Sequence, residues 1–309
     1  MIKISAVVCT YNRAQLLFPC LQSLANQSLD KSSYEVIVVD NNSSDNTPVI
    51  IAEFTSRYSI FRGVREEKSG RSHARNRGYL EAQGLFVAYI DDDAQADEFW
   101  LEKIVHAFEK TEPAPSVVGG KIAPYYLSEK PEWFLDVYET HNKYGERAGF
   151  LKGPHAQYGF AGANMAFPRT ILKQYNGFSP EFGGTGSKII YGEEVALCYR
   201  IYQDRPYFWY DPEIRVRHFV PRRNMSLRFI LKRNFSATAS LTLIEGQKTS
   251  IFTFMYIMSA LVGRALLLMV SVRWFNQYWR RDFIKYGVPL ACSAGKFMAL
   301  VLRKVPAKM

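Results

Sequence analysis

The sequence from Tyr34 to Asp45, YEVIVVDNNSSD, runs from an apolar stretch directly into a polar cluster. Its apolar part, Tyr34 to Val39, is rich in β-branched side chains, which is typical of a strand buried on both faces of a parallel sheet. Ile2 to Cys9 has the same character, and the segment between them, Ala14 to about Asn26, is predicted to be a helix. This order predicts a β-α-β unit.

The same alternation continues along the first third of the chain. A second helix is predicted to begin at Thr47, a capping residue that is followed by proline at the first helical position. A third helix is predicted from Ser72 to Ala82, and Leu85 to Ile90 is predicted to be another buried strand. Strands that alternate with helices favour an α/β fold with a parallel sheet covered on both faces.

Polar residues directly follow each of these strands. Thr10 to Arg13 follows the first, Asp40 to Asp45 the second, and the triplet Asp91-Asp92-Asp93 the strand that ends at Ile90. Ligands of open α/β sheets bind beyond the carboxyl ends of the strands. The three clusters are therefore predicted to converge on one ligand site.

The strand and helix rhythm loosens beyond residue 116. Glycine-rich segments at 159–164 and 183–191 are predicted to be substrate-facing loops. The elements expected after them are a helix at about Glu193 to Gln203, short strands at Tyr207 to Tyr210 and Arg215 to Phe219, and a basic helix from Met225.

The acidic triplet at residues 91–93 predicts a metal site. Three adjacent carboxylates repel one another unless a cation or a ligand hydroxyl compensates them. Mg²⁺ and Mn²⁺ prefer oxygen ligands and often complete their shell with substrate phosphates, so a diphosphate ligand is expected. The alternative is an acidic turn that caps the next helix. Asp40 is similarly open: it could form a turn, or its carboxylate could accept a hydrogen bond from the ring N–H of a uracil-type base.

Four motifs in register resemble the family 2 glycosyltransferases, which have a GT-A fold. They are VVCTYNR at residues 7–13, VVDNNSSDNT at 38–47, ARNRG at 74–78 and YIDDD at 89–93. The resemblance covers about residues 3 to 235. It implies a Rossmann-like GT-A fold with a mostly parallel central sheet, and a nucleotide diphosphate sugar, expected to be UDP-linked, as the donor.

The same resemblance implies roles for residues on the motifs. Thr10, Tyr11 and Asp40 would hold the base and ribose of the nucleotide. Asp91 would lie near the ribose and Asp93 would bind the metal, Mn²⁺ or Mg²⁺, as the two ends of a DxD motif. The neighbouring positions expected to contact the donor are Arg13 and Asp92.

Arg71 and His218 each allow two interpretations. Arg71, on a Ser-Gly-Arg turn, could contact the base or a phosphate, or could be a solvent-exposed arginine at a helix start. A lone histidine is more often structural, but some members of the family place a histidine at the position of His218, against the metal or the diphosphate. His218 is therefore a third predicted metal ligand beside Asp91 and Asp93.

The segment GEEVAL at residues 192–197 occupies the place of the family's acidic pair, which opens a helix late in the catalytic domain. Glu194 is then the predicted general base, although the family commonly has Asp here and Glu reaches one methylene further. The alternative is that Glu193 and Glu194 only favour the positive helix N-terminus, by about 0.3–1 kcal/mol each. The resemblance favours an inverting transfer, which needs a base for the acceptor hydroxyl and a metal for the leaving diphosphate. Composition leaves a retaining transfer open.

Cysteine usage and the N-terminus favour a reducing compartment. The four cysteines form no CxxC pair and have no histidine at metal-ligand spacing, so neither a disulfide framework nor a zinc site is predicted; they are Cys9, Cys20, Cys198 and Cys292. The first residues run directly into the first predicted strand without the pattern of a secretory signal. We therefore expect the first domain to be cytosolic.

Charge is distributed unevenly along the chain, whose formal net charge is +10. Residues 1–199 carry 20 Lys and Arg against 24 Asp and Glu, a net charge of −4, whereas residues 200–309 carry 19 against 5, a net charge of +14. This asymmetry predicts that the C-terminal third binds a polyanionic partner, which could be an anionic lipid surface or a nucleic acid. The apolar character of the region favours anionic lipid. A merely solvated basic face is the alternative.

Residues 251–272 are mostly apolar but contain Arg264 near their middle. Their length permits a membrane span. However, about fourteen strongly apolar side chains, at roughly −0.3 to −0.6 kcal/mol each, are nearly offset by an arginine at about +3 kcal/mol and several polar residues. Because basic residues flank both ends, we expect helices in the cytosolic membrane interface, with Trp274, Tyr278 and Trp279 at headgroup depth. A helical subdomain packed on the catalytic domain is the alternative.

The predicted organisation is a catalytic domain at 1–240, with a nucleotide-binding half at about 1–115 and an acceptor half at about 116–240, and a basic, apolar helical region at 241–309. The acceptor is expected to be a saccharide or a lipid-linked saccharide, on the cytoplasmic side of the cell membrane, in polysaccharide or glycolipid synthesis. The turn after the first strand lacks G-x-G-x-x-G, which disfavours an NAD-dependent oxidoreductase. An inactive nucleotide-sugar-binding scaffold and a metal-dependent nuclease stay open, although no nucleic-acid partner is expected.

Overall fold

A computed structural model of the chain describes residues 1–182, 192–246, 251–272 and 277–303. The loop predicted at 183–191 and the interfacial residue Trp274 lie outside these ranges. The described residues form two compact units. The first comprises Met1–Tyr125, the described part of 139–186, and Glu193–Phe219, and the second comprises Tyr126–Tyr138, Gly192 and the described part of Val220–Met309.

One nine-stranded sheet forms the centre of the first unit. Its strands are β1 (Ile4–Thr10), β2 (Tyr34–Asp40), β3 (Phe61–Arg65), β4 (Phe86–Asp91), β5 (Ala94–Ala96), β6 (Val117–Tyr125), β7 (Gly149–Phe150), β8 (Met165–Pro168) and β9 (Phe208–Phe219). The strand order is β3-β2-β1-β4-β8-β6-β9-β5, and β7 also pairs with β9. The first four strands are parallel, as predicted.

The expectation of a mostly parallel sheet is wrong for the second half. There β8 lies antiparallel between β4 and β6, and β5 and β7 are antiparallel to β9. Only β6 and β9 are parallel in this half, so the described sheet is mixed. A long connection separates β8 from β6, and it brings β8 into the sheet from the opposite end. The periodicity of a strand does not reveal its direction in the sheet.

Helices cover both faces of this sheet, as predicted. They are α1 (Ala14–Ala25), α2 (Thr47–Arg57), α3 (Arg71–Glu81), α4 (Trp100–Lys110), α5 (Arg169–Gln174) and α6 (Glu193–Asp204). Side chains of α1, α2 and α4 share one core cluster, and those of α3, α5 and α6 share the other. Alternate residues of β1 belong to different clusters, since Ala6 and Val8 lie in the first and Val7 in the second.

The strand β9 is continuous where two short strands were predicted. Its pairing with β6 changes register between Gly120 and Ile122. The Asp-Pro sequence that begins at Asp211 therefore forms a bulge within β9 and does not end the strand. A Cβ at Gly120 would lie 1.9 Å from the carbonyl oxygen of Ile214, so this close approach requires glycine. The bulge lets β9 run on to His218, at the same edge as the end of β4.

The helix α3 approaches β1 closely. A Cβ at Gly78 would lie 2.3 Å from Cγ1 of Val7, which is completely buried. The small residue lets the helix lie against the strand, and this places Arg75, three residues earlier, within reach of Asp91 at the end of β4. A glycine of the ARNRG motif thus sets the position of an arginine of the same motif.

The second unit is mainly helical. Its long helices are α7 (Leu227–Ile244), α8 (Ile251–Ser271) and α9 (Trp279–Arg303), and α9 packs against both of the others. Two arginines fix the segment 126–138 to these helices: Nη2 of Arg233 donates to the carbonyl of Tyr138 at 2.5 Å, and Nη2 of Arg281 donates to that of Glu132 at 2.8 Å.

The apolar segment predicted at 251–272 is the helix α8. Its central Arg264 donates to the carbonyl of Pro289 at 3.0 Å and also contacts the hydroxyl of Ser293, so its charged group is directed at α9. Among the described helices, none combines the length and the apolar character that a membrane crossing requires.

Candidate active site

The loops after β1 and β2 are joined by hydrogen bonds. The backbone N–H of Asn12 donates to the hydroxyl of Ser43 at 2.9 Å, and the side-chain oxygen of Asn12 accepts from the N–H of Ser44 at 2.8 Å. Asn12 adopts a φ of +51°, a left-handed conformation that asparagine tolerates. The two predicted nucleotide-binding loops therefore form one surface.

The three residues expected to hold the base and ribose all lie on this surface. Thr10 and Asp40 are directly paired in register at the ends of their strands and are buried. Tyr11 follows and is 58% exposed, so its ring is open to a ligand. Asp40 also accepts the N–H of Ser43 at 3.0 Å, as the turn interpretation predicts, but a carboxylate has further acceptor capacity for a base.

Asp91, Asp93 and His218 form an acidic cluster at the opposite side of β1. Nε2 of His218 lies 3.1 Å from Oδ1 of Asp93 and 3.5 Å from Oδ2 of Asp91. One ligand atom from each residue lies within 4.8 Å of the others. The pairing of His218 with Ala94 across β5 and β9 holds this geometry. Arg13 also borders the cluster, with Nη1 3.7 Å from Oδ2 of Asp93.

Electrostatics of the cluster favour a positive charge at its centre. Burial alone would lower the pKa of His218, but Asp91 and Asp93 outweigh this and raise it to about 10. Burial would raise the pKa of Asp91, but contact with His218 and the charges of Arg75 and Arg71 hold it below its ordinary range. The two aspartates therefore favour the protonated form of His218.

Asp92, the middle residue of the triplet, lies apart from these ligand atoms and is buried. Its pKa is raised to about 7, first because burial penalises the charged form and then because Asp93 is negative. A neighbouring cation would favour its ionised form. The structure therefore separates Asp92 from the two carboxylates that face His218.

The acidic pair predicted to open a helix does open α6. Glu193 is buried, with its side chain 1% exposed, and accepts from Nη1 of Arg75 at 2.8 Å. Glu194 is more open, with 17% of its side chain exposed, and its Oε2 lies 3.4 Å from the same nitrogen. Burial first, and then the charge of Glu193, raise the pKa of Glu194, while Arg75 opposes this shift. A raised pKa suits a carboxylate that must accept a proton.

Arg71 is the first residue of α3 and its side chain is 54% exposed. Nε of Arg71 lies 3.8 Å from Oε1 of Glu193, so it borders the acidic pair rather than the loops after β1 and β2. Arg71 remains accessible to a ligand, and its contribution to the buried carboxylates is weakened by solvent.

The residue that sequence reasoning missed is Arg75. It belongs to the ARNRG motif, but its role was not predicted. Arg75 links the acidic cluster at Asp91 to the glutamate pair that opens α6. Its Nη2 lies 3.6 Å from Oδ1 of Asp91, while its Nη1 contacts both glutamates. The available signal was its position on α3, on the same buried face as Ser72 and Gly78, where an arginine requires carboxylate partners.

Comparison with known proteins identifies the family. Residues 5–175 match the family model described as glycosyl transferase family 2, which covers more than half of the chain. The chain therefore belongs to glycosyl transferase family 2, and its class is that of a glycosyltransferase.

Two relatives agree with this assignment. The chain is 29% identical over 236 residues to the glucosyl-dolichyl phosphate glucuronosyltransferase of Haloferax volcanii, spanning 75% of this chain and 74% of that protein. It is 33% identical to glycosyltransferase AglE of the same organism over 120 residues, which are 38% of this chain and 39% of AglE.

Two solved structures share the fold at low sequence identity. TarS of S. aureus, residues 1–349 in complex with UDP, superposes with a TM-score of 0.58 at 17% identity, over 96% of this chain and 91% of that chain. The mannosyltransferase PcManGT of Pyrobaculum calidifontis, in complex with GDP-Man and Mn²⁺, gives a TM-score of 0.63 at 17% identity, over 95% and 86%. The predicted GT-A-like α/β fold is confirmed.

Proposed function

We propose that this glycosyltransferase takes a sugar from a nucleotide diphosphate, which a divalent metal ion anchors at Asp91, Asp93 and His218, and passes it to an acceptor hydroxyl with Glu194 as general base. The observation that carries the proposal is the convergence of the two acidic groups at one edge of the sheet, where Arg75 contacts both.

The residues of the acidic cluster fit a metal ion. Two carboxylates and an imidazole present ligand atoms within 4.8 Å of one another. His218 would bind the ion as the neutral imidazole, after losing the proton that Asp91 and Asp93 stabilise. Carboxylates suit both Mg²⁺ and Mn²⁺, whereas an imidazole is a softer ligand than Mg²⁺ usually takes. The ligand set favours Mn²⁺, and a bound ion would neutralise charge on the leaving diphosphate.

The nucleotide would lie over the loops after β1 and β2. Asp40 would accept the ring N–H of the base, the exposed ring of Tyr11 would pack on it, and Thr10 would border the ribose. UDP is the proposed nucleotide, and its uracil ring has an N–H that can donate to the carboxylate of Asp40. Arg13, beside Asp93, would face the diphosphate.

Glu194 would take the proton of the acceptor hydroxyl as that oxygen attacks the anomeric carbon, opposite the departing diphosphate. Its partial exposure allows contact with an acceptor, whereas Glu193 is closed off by Arg75. The proposed base lies on α6, whereas the metal cluster lies at the ends of β4 and β9. Proton removal and stabilisation of the leaving diphosphate would therefore take place at separate positions. An in-line attack of this kind inverts the anomeric centre.

The proposed acceptor is a saccharide or a lipid-linked saccharide at the cytoplasmic side of a membrane, in cell-surface polysaccharide or glycolipid synthesis. The name of the Haloferax volcanii glucuronosyltransferase specifies a dolichyl phosphate-linked substrate, which supports a lipid-linked acceptor here. The helix α8 supports membrane association independently. Its positions 255, 262, 266 and 270 recur at helical spacing, are apolar and are exposed, Val270 to 81%.

The charge of the C-terminal region supports an anionic lipid surface as the partner of this face. Residues 200–309 carry a net charge of +14, so an anionic lipid surface is complementary to it in both charge and apolar character. Arg264 does not oppose this docking because its guanidinium is paired with α9.

A ligand screen tests the proposed function. Thermal unfolding is measured with UDP and with GDP, each with Mn²⁺ or with EDTA, because a ligand that binds the native state raises the Tm. We expect a rise with UDP and Mn²⁺ that EDTA abolishes, followed by release of free sugar or transfer when the matching nucleotide sugar is added. A protein that neither nucleotide stabilises, and that turns over no nucleotide sugar, would contradict the proposal.

A further inference from the structure

The guanidinium of Arg75 touches three carboxylates. It lies 2.8 Å from Glu193, 3.4 Å from Glu194 and 3.6 Å from Asp91, and only 3% of its side chain is exposed. Nη1 faces the two glutamates and Nη2 faces Asp91, so the planar group points one nitrogen at each half of the site. A lysine has a single nitrogen and could not make this division.

The position of this guanidinium is fixed by its packing. The centroid of the Phe178 ring lies 5.5 Å from its central carbon, and Gly162 also packs against it. A Cβ at Gly162 would be 1.9 Å from Nη2 and 2.7 Å from the central carbon of the guanidinium. The φ of Gly162 is not in the left-handed region, so the need for glycine here comes from the space that Arg75 fills.

Two neighbouring charges of opposite sign act on the carboxylate of Glu194. Glu193, next to it on α6, is negative and fully buried, which favours the protonated form of Glu194. Arg75 and, more weakly, the half-exposed Arg71, both on α3, favour its ionised form. Cys198, one turn further along α6, is buried with its pKa raised to about 12 and is therefore neutral.

We infer that Arg75 is a positioning residue for sugar transfer: its guanidinium favours the ionised form of the Glu194 carboxylate and fixes its place relative to Asp91 at the donor end of the site. This inference rests on the proposed function, in which Glu194 is the base. Arg75 reaches the reaction only through its three carboxylate partners. Glu193 then serves to hold the guanidinium in place.

The inference predicts opposite shifts in the pH dependence of kcat. A general base must be ionised, so activity falls as the pH drops through its pKa in the folded protein. Removing the positive neighbour raises that pKa and moves the acid limb to higher pH. Removing the negative neighbour lowers the pKa and moves the limb to lower pH. A charge at this distance shifts a pKa by about 1 to 3 units.

The test compares three substitutions in the full chain with a UDP-sugar and Mn²⁺. Arg75→Gln should move the acid limb of kcat up by about one pH unit, and Glu193→Gln should move it down by about one unit. Gly162→Ala should move it up by a smaller amount, because the guanidinium must leave its position but keeps its charge. The matched control is Gly149→Ala, since a Cβ there meets no atom within 4 Å, and its limb should stay at the wild-type pH.

Gly162→Ala and Glu193→Gln keep the inference testable if Arg75→Gln does not fold. Loss of a purely structural residue would lower the folded fraction or kcat at every pH without moving the limb. If the wild-type protein and Gly149→Ala transfer sugar with an acid limb, but Glu193→Gln and Gly162→Ala leave that limb unmoved, the role of Arg75 is refuted and the proposed function stands. If the wild-type protein transfers no sugar, the proposed function itself fails.

Discussion

Nε2 of His218 lies 3.1 Å from Oδ1 of Asp93, so the far end of β9 completes the acidic cluster that begins at the end of β4. The contact depends on the bulge in β9 opposite Gly120, which lets the strand continue to this edge. A residue remote in sequence thereby becomes the third candidate ligand beside two aspartates.

His218→Ala should weaken Mn²⁺ binding by at least about tenfold, because even the partners of metal ligands contribute about 10- to 100-fold to affinity. Titration of Mn²⁺ in the presence of UDP measures this. His106→Ala is the control, since His106 is exposed on α4. Equal Mn²⁺ affinity in the two variants would show that His218 is a structural residue.

Glu194→Gln should lower kcat by about 10²-fold or more while leaving donor affinity nearly intact, because the change removes basicity and preserves shape. Single-turnover transfer and UDP binding, measured on the same preparation, separate the two effects. Glu53→Gln, at an exposed position of α2, is the control. If transfer persists at close to the wild-type rate, another carboxylate is the base.

Gly78→Ala should destabilise the protein although alanine is the better helix former by about 1 kcal/mol. A Cβ would overlap Cγ1 of Val7 at 2.3 Å. Overpacking of a dense core costs about 1–3 kcal/mol, so this cost outweighs the gain in helix propensity. Urea denaturation measures the change in midpoint. The control is Gly263→Ala, a helical position with open space, where stability should not fall. A Gly78→Ala variant as stable as the wild type would mean that α3 can move away from β1.

Substitution of Val262, Leu266 and Val270 by Asn should abolish binding to anionic liposomes, because these exposed side chains supply the apolar part of the proposed contact. Flotation should also show that binding by the wild type rises with anionic lipid and falls with salt. Val49, Leu80 and Leu85 form the matched control triple, being equally exposed apolar residues of the first unit. If both triple variants float like the wild type, the face on α8 is not the lipid-binding surface.

Much of the first half of the fold could be predicted from the sequence, because apolar strands and periodic helices alternate there without interruption. The helix α1 begins at Ala14 and β2 begins at Tyr34, as predicted. By contrast β3, Phe-Arg-Gly-Val-Arg, was missed because it is short and two of its five residues are charged. The antiparallel β8 depends on contacts that are distant in sequence.

The candidate site was predicted residue by residue where a motif follows a strand. The structure brings Asp91, Asp93 and His218 together and places Thr10 beside Asp40. The link between Glu194 and Asp91 could not be predicted, since it depends on how closely Gly78 lets α3 approach the sheet and on the space that Gly162 leaves for Arg75. Such distances are a property of packing, which no local pattern contains.

The binding of UDP to the wild-type protein and to Asp93→Asn, measured calorimetrically with Mn²⁺ and again with EDTA, tests the central claim most directly. Asp93→Asn keeps the shape of the side chain and removes the charge that faces His218, while Asp97→Asn, at an exposed position four residues further on, is the control. We predict that the wild type and Asp97→Asn bind UDP with Mn²⁺ and lose most of that affinity in EDTA, and that Asp93→Asn binds weakly in both. Undiminished, EDTA-insensitive binding of UDP by Asp93→Asn would contradict a metal-anchored nucleotide diphosphate site.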